Sequence, residues 1–167
     1  MAELTNKERL QPSLLDRLTD AFPDNKQESK EHRVLSFRQL KQSVLRDLSW
    51  LFNTQALTTM EDLSEYPWVA GSVLNYGIPD VSGTNLSNVN PQKLQQQLRQ
   101  IIINFEPRII ASSLKVEILV QDQQMSHNAV CFKIEGDLWA QPMPVRLYIR
   151  SDLDLETGAV AIKDLGG

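Results

Sequence analysis

Ile101-Ile102-Ile103-Asn104-Phe105-Glu106-Pro107-Arg108-Ile109-Ile110-Ala111-Ser112-Ser113-Leu114-Lys115-Val116-Glu117-Ile118 contains the point at which the spacing of apolar side chains changes. On its upstream side Leu94, Leu98, Ile101, Ile102 and Phe105 fall on one face of a helix, and Asn90-Pro91 supplies a cap followed by proline at the first helical position. The opposite face is rich in Gln and is expected in solvent. Downstream, Leu114, Val116, Ile118 and Val120 alternate with Ser113, Lys115, Glu117 and Leu119, which is the period of a strand. Pro107 places the switch, because proline disfavours the α region for the residue before it and so takes Glu106 out of the helix.

Moving outward from this switch, Val130, Phe132 and Ile134 repeat the alternation, as do Val145, Leu147 and Ile149. Glu156-Thr157-Gly158-Ala159 reads as a hairpin tip between residues 153–155 and 160–162. In the other direction Phe37, Leu40, Val44, Leu45, Leu48, Leu51 and Phe52 keep the helical period from a start near Ser36. A turn-rich middle follows, in which the apolar stretch from Trp68 to Tyr76 is expected to form one helix carrying Gly71, between Tyr66-Pro67 and Gly77-Ile78-Pro79-Asp80-Val81-Ser82-Gly83. Helices first and strands last predict an α+β domain, with N-terminal helices packed on one face of a C-terminal antiparallel sheet.

That domain is expected over residues 34–167. Residues 23–33 contain no aliphatic or aromatic side chain, cannot offset their ordering entropy by burial, and read as a polar linker. The linker isolates an N-terminal segment, residues 1–22, in which Ser13 is a plausible cap and Leu14, Leu15 and Leu18 share one face with Asp16 and Arg17 between them. So short a helix is marginal by itself in water. It either folds back on its own domain or docks as an amphipathic anchor in a partner's groove, and both readings stand at this point.

Composition narrows the classes. A chain of 167 residues buries about 70% of its extended surface on folding, enough for a core without metal or disulfide. Its 41% hydrophobic content excludes wholesale disorder, and its purely apolar runs, such as Ile101-Ile102-Ile103, are far too short to span a bilayer. No membrane insertion is expected. With 17 Lys+Arg against 21 Asp+Glu the net charge is −4, which argues against capture of nucleic acid by phosphate neutralisation. The start of the chain lacks the basic and apolar regions of an export signal and Cys131 is the single cysteine, so a cytoplasmic location is expected.

Signatures of catalysis are missing for physical reasons. Gly77 to Gly83 is one residue too long for a phosphate-cradling loop and is followed by Thr84 where lysine belongs. His32, His127 and Cys131 do not make a four-ligand zinc set, and no cofactor is expected. Cys131 and His127 lack an orienting third residue, which leaves Cys131 as a small buried hydrophobe. The unusual constellation is Glu106-Pro107-Arg108. In extended geometry both charges project to the same side, and an acid at a helix C-terminus has the wrong sign for the dipole, so a cation should lie near Glu106. The pair is either a surface ion pair worth about 0–1 kcal/mol or a charged pair offered to a partner.

Ser13-Leu14-Leu15-Asp16-Arg17-Leu18, then Val44-Leu45-Arg46-Asp47-Leu48-Ser49-Trp50-Leu51-Phe52-Asn53-Thr54, then Tyr76-Gly77-Ile78-Pro79-Asp80-Val81-Ser82-Gly83, then Glu106-Pro107-Arg108 form an ordered set that covers most of the chain. Together they resemble the TssE family, the baseplate component of bacterial type VI secretion, which is similar to the lysozyme-like wedge protein of contractile-tailed phages. The resemblance implies a non-enzymatic wedge subunit at an inner-membrane-docked baseplate. It would assemble with TssF, TssG and TssK near the VgrG hub and act as the starting template for the TssB and TssC sheath. It carries a role in baseplate assembly onto Glu106, Pro107 and Arg108, and implies sheath contact by strand addition at a sheet edge. Which strand is that edge stays open at this point, and the acidic alternation Asp152, Asp154 and Glu156 reads equally as a charged guard against promiscuous edge pairing. Two alternatives belong to other classes. A lysozyme-like peptidoglycan hydrolase requires a protonated general acid and a second carboxylate at set separation, and Glu106, two residues from a cation, is a poor candidate. A free-standing adaptor would bind through the N-terminal helix alone.

Overall fold

A computed structural model describes residues 13–19, 36–83, 90–119, 129–140 and 143–166. The expected linker, Val120, His32, His127 and Gly167 lie outside the described residues. The elements run α1 (Leu14–Leu18), α2 (Phe37–Phe52), α3 (Pro67–Ala70), α4 (Pro91–Phe105), β1 (Lys115–Leu119), β2 (Ala129–Leu138), β3 (Val145–Asp154) and β4 (Val160–Asp164). The α+β expectation holds: helices occupy the N-terminal half, and the four strands form one antiparallel sheet in the order β1-β2-β3-β4.

Local chemistry starts both long helices. The Ser36 hydroxyl accepts from the Gln39 amide at 3.2 Å while Gln39 Oε1 accepts from the Ser36 amide at 2.9 Å, a reciprocal capping box. The Asn90 side chain accepts from Lys93 N at 3.0 Å, ahead of Pro91 in the first turn. Leu40, Val44, Leu48, Leu51 and Phe52 of α2 and Leu94, Leu98 and Ile102 of α4 are buried against the sheet. The facing strand residues are Val116, Phe132, Ile134, Leu147, Ile149 and Leu153. Helix α4 packs along β1 and α2 along β4, so the two lie side by side over one face. Phe52 meets Phe132 edge-on with ring centroids 5.5 Å apart, joining helix and sheet layers.

Between the helices the expected single helix from Trp68 to Tyr76 is broken in two. Helix α3 ends at Ala70, Gly71 terminates it, and a 3-10 turn takes over at Val73–Asn75. The four helical residues Pro67–Ala70 bury no side chain fully, so nothing holds the longer helix together. Gly77 then crosses α2's C-terminal end at φ 130°, where a Cβ would lie 2.3 Å from the Thr54 carbonyl oxygen. That close approach lets Ile78 N donate to Thr54 O at 2.9 Å and Ala56 N donate to Ile78 O at 2.9 Å. The glycine that opens the failed phosphate-loop match is thus a packing requirement.

The sheet's edges are β1 and β4. Asp154 N donates to Ala159 O and Leu165 N to Tyr148 O, so the odd-numbered residues of β4 bond to β3 and Val160, Ile162 and Asp164 turn their peptide groups outward. Asn53, the cap residue of α2, closes the first of these: Val160 N donates to its Oδ1 at 2.9 Å and its Nδ2 donates to Val160 O at 3.0 Å. At the other end Lys41 pairs with Asp164 at 2.8 Å and donates to the Gly166 carbonyl. The expected guard residues do something else. Asp152 and Asp154 lie on β3, an inner strand; Asp152 pairs with Arg150 and Lys163, and Asp154 Oδ1 accepts from Glu156 N and Thr157 N to shape the hairpin.

Candidate functional site

Glu106 is the residue that ends α4. Its amide still donates to Ile102 O at 2.8 Å, but φ −125° and ψ 74° take it out of the helix, as Pro107 requires. Its side chain turns inward and Glu106 is only 2% exposed. Arg108 lies over it as a fork: Nε donates to Oε1 at 2.7 Å, Nη2 donates to Oε2 at 2.5 Å, and the Arg108 amide also donates to Oε1 at 3.2 Å. The cation demanded by the helix dipole is therefore Arg108 itself. The expectation of a surface ion pair is corrected, because the carboxylate is buried beneath the guanidinium.

Arg108 also reaches across to α2. Its Nη2 donates to Asp47 Oδ2 at 2.6 Å and its Nη1 to Ser43 Oγ at 3.2 Å, two side chains four residues apart on one face of that helix. Its carbonyl accepts from Trp139 N at 2.7 Å, which fastens the corner to the end of β2. The charges continue beyond Asp47. Arg46 Nε donates to Asp47 Oδ1 at 2.9 Å, and Arg46 Nη1 donates to Asp16 Oδ1 at 2.6 Å, which draws α1 against α2. Arg46 Nη2 lies 2.8 Å from Asp47 Oδ1, a charge contact out of hydrogen-bond alignment, and is buried without another partner. The series Asp16, Arg46, Asp47, Arg108, Glu106 alternates in sign and connects three helices.

Electrostatics follow from these contacts. Burial alone lowers the Arg108 pKa, but the hydrogen bonds and charges of Glu106 and Asp47 outweigh it and raise the pKa above the ordinary guanidinium value. Burial likewise raises Asp16, while hydrogen bonds from Arg46 and Ser13 lower it further, so the net position is below the usual carboxylate value. Burial pushes the Tyr76 phenol up, helped by the charges of Asp47 and Glu106.

A cleft of about 440 Å³ opens between α1 and this corner, with Leu15, Trp50, Tyr76, Phe105 and Pro107 among its walls. The structure thus brings Leu15 and Asp16 together with Glu106, Pro107 and Arg108. Leu14 and Leu18 face away, 70% and 74% exposed, and the Arg17 side chain is outside the described residues. Helix α1 accordingly folds back by its polar side, with Ser13 Oγ donating to Asp16 Oδ2 at 2.6 Å, while two leucines remain on its outer side. Ser43, Arg46 and Asp47 complete the corner and were not singled out as site residues from sequence. Their signal was a serine and an aspartate four apart beside the buried Leu40, Val44 and Leu48 stripe.

With both oxygens of Glu106 engaged as acceptors, the arrangement is suited to joining elements. Among the described residues no cluster of His, Cys, Asp or Glu is placed to hold a metal, and no helix is long and apolar enough to cross a membrane. Cys131 is buried, as expected; desolvation raises its thiol pKa, with Asp152 beside it adding to the effect. The family described as baseplate wedge protein gp25 matches the chain over residues 38–143, a stretch that includes α2, α4, the Glu106 to Arg108 corner, β1 and β2. No curated protein and no solved structure matches it.

Proposed function

The chain belongs to the baseplate wedge protein gp25 family, and from that premise we propose that it is a non-enzymatic wedge subunit of a type VI secretion baseplate on the cytoplasmic side of the inner membrane. The observation that carries this reading is the corner itself. Glu106, Pro107 and Arg108, the motif shared with the TssE family, are joined to Asp47 and to α1 in one network beside an open cleft. The same network leaves Leu14 and Leu18 exposed on α1. Wedge partners TssF, TssG and TssK would engage that outer side and the cleft, near the VgrG hub.

Templating of the TssB and TssC sheath would use backbone hydrogen bonds at a sheet edge. Asn53 and Lys41 cover the two ends of β4, so β1 is the edge we assign to the incoming strand. Hydrolysis of peptidoglycan has no support at Glu106, whose oxygens accept from Arg108. The test is co-purification from a host with type VI secretion, using the full chain carrying Leu14→Asp and Leu18→Asp. Both residues are exposed, so circular dichroism should be unchanged. TssF, TssG and TssK should be recovered with the unsubstituted chain and lost with the variant. Recovery from neither, with peptidoglycan release by the purified chain, would overturn the reading.

A further inference from the structure

Residues 47–92 contain no Lys or Arg and five carboxylates: Asp47, Glu61, Asp62, Glu65 and Asp80. Asp47 belongs to the corner. Glu61, Asp62, Glu65 and Asp80 are exposed, and none of them enters an ion pair among the described residues. Three of them stand on the small lobe formed by residues 57–76, where the large side chains point the wrong way for a core. Trp68 is 91% exposed, Val73 79% and Leu74 68%, and Met60 and Tyr66 are also in solvent.

The lobe is nonetheless fixed. Asn75 staples it, its Oδ1 accepting from Thr58 N at 3.0 Å and its Nδ2 donating to Ala70 O at 2.9 Å, so that a 3-10 turn at Leu57–Thr59, α3 and the 3-10 turn at Val73–Asn75 form one unit around buried Leu63. Exposed tryptophan on a pre-shaped support loses little freedom on binding, which is the situation of an interface anchor. Its surroundings select the partner. Nucleic acid and anionic lipid both require cations that this part of the chain lacks. A second copy set two-fold against the same lobe would bring carboxylates against carboxylates.

We propose that residues 57–76 form a second protein-docking surface, in which Trp68, Val73 and Leu74 enter an apolar recess of a partner protein whose rim carries Lys and Arg. Its location differs from the corner around Arg108, and it does not depend on which assembly the chain serves. The test is photo-cross-linking in the native host, with p-benzoylphenylalanine at position 68 of the full chain and the cross-linked peptide sequenced by mass spectrometry. The expected product joins position 68 to one other protein at an apolar segment rich in Lys or Arg. Glu61→Lys with Asp62→Lys and Glu65→Lys should reduce its yield by roughly tenfold without altering the circular dichroism spectrum, as expected for loss of a steering rim. Products with a second copy of the chain or with lipid, no product, or a yield indifferent to the charge reversal would each overturn the proposal. Whether the captured protein is a baseplate subunit bears on the function proposed above and leaves this surface standing.

Discussion

The series from Asp16 to Glu106 and the outer face of the sheet are built from the same kinds of side chain at similar distances, yet they differ in what they can hold. On the outer face Arg146 pairs with Asp137 at 2.9 Å and Glu135 at 3.5 Å, Lys133 pairs with Glu135, and Asp152 lies between Arg150 and Lys163. These groups are hydrated, screened by salt, and worth about 0–1 kcal/mol each. At the corner Glu106 has given up its water, so removing the Arg108 guanidinium leaves a buried charge with the Arg108 backbone amide as its remaining donor. Burial decides the outcome, and distance does not.

The scale for testing this contrast is set by Leu98, fully buried on α4: Leu98→Ala should cost about 3–5 kcal/mol in urea unfolding through cavity formation. Arg108→Ala should follow closely at about 3 kcal/mol, because Glu106 is left unpaired. A loss below about 1 kcal/mol would show that water enters the corner and would erase the contrast. Replacing both partners, Glu106→Leu with Arg108→Met, should restore much of that stability, since the penalty belongs to the unpaired charge and not to the missing pair. Asn53→Ala, which uncaps a neutral edge, should cost about 1 kcal/mol by the same measurement. Arg146→Ala, on the outer face, should stay within about 0.5 kcal/mol.

The smallest effect is a pH dependence. Asp16 is depressed below its ordinary 3.8, so the attachment of α1 is present above that value and is lost as pH falls through the folded-state pKa beneath it. Arg46 lies 5.0 Å from the Trp50 ring centroid and holds α1, so Trp50 fluorescence should change across that acid range, and Arg46→Ala should abolish the change. A titration of the same shape in the Arg46→Ala chain would assign it to another carboxylate.

Sequence made the layer order plain because period is a local property: the helical spacing ending at Phe105 and the alternation beginning at Leu114 survive without knowledge of any neighbour. The hairpin around Gly158, at φ 72°, was legible for the same reason. Burial of Glu106 was not, since it depends on an Arg108 held by Ser43 and Asp47, which stand 65 and 61 residues before that arginine. The failed helix after Pro67 shows the opposite error. An apolar run predicts one continuous helix, whereas Trp68, Val73 and Leu74 are turned outward and the helix has nothing to pack on. That Asp152 and Asp154 stand on an inner strand was not legible, because edge and centre look alike in a sequence; order in the sheet comes from pairing.

Asn53 occupies one outward peptide group of the β4 edge, at Val160, and so alters how the sheet would behave as a monomer in a growing chain. A sheet with two bare edges is a difunctional monomer: every addition exposes a fresh edge, and ribbons extend in both directions without limit. A carboxamide on Val160 and an ammonium on the Gly166 carbonyl hinder that edge at its two ends and leave Ile162 and Asp164 between them open, so the two edges become unequal in reactivity. If strands add at the sheet edge as proposed above, a unit with unequal edges starts a chain more readily than it becomes an interior link.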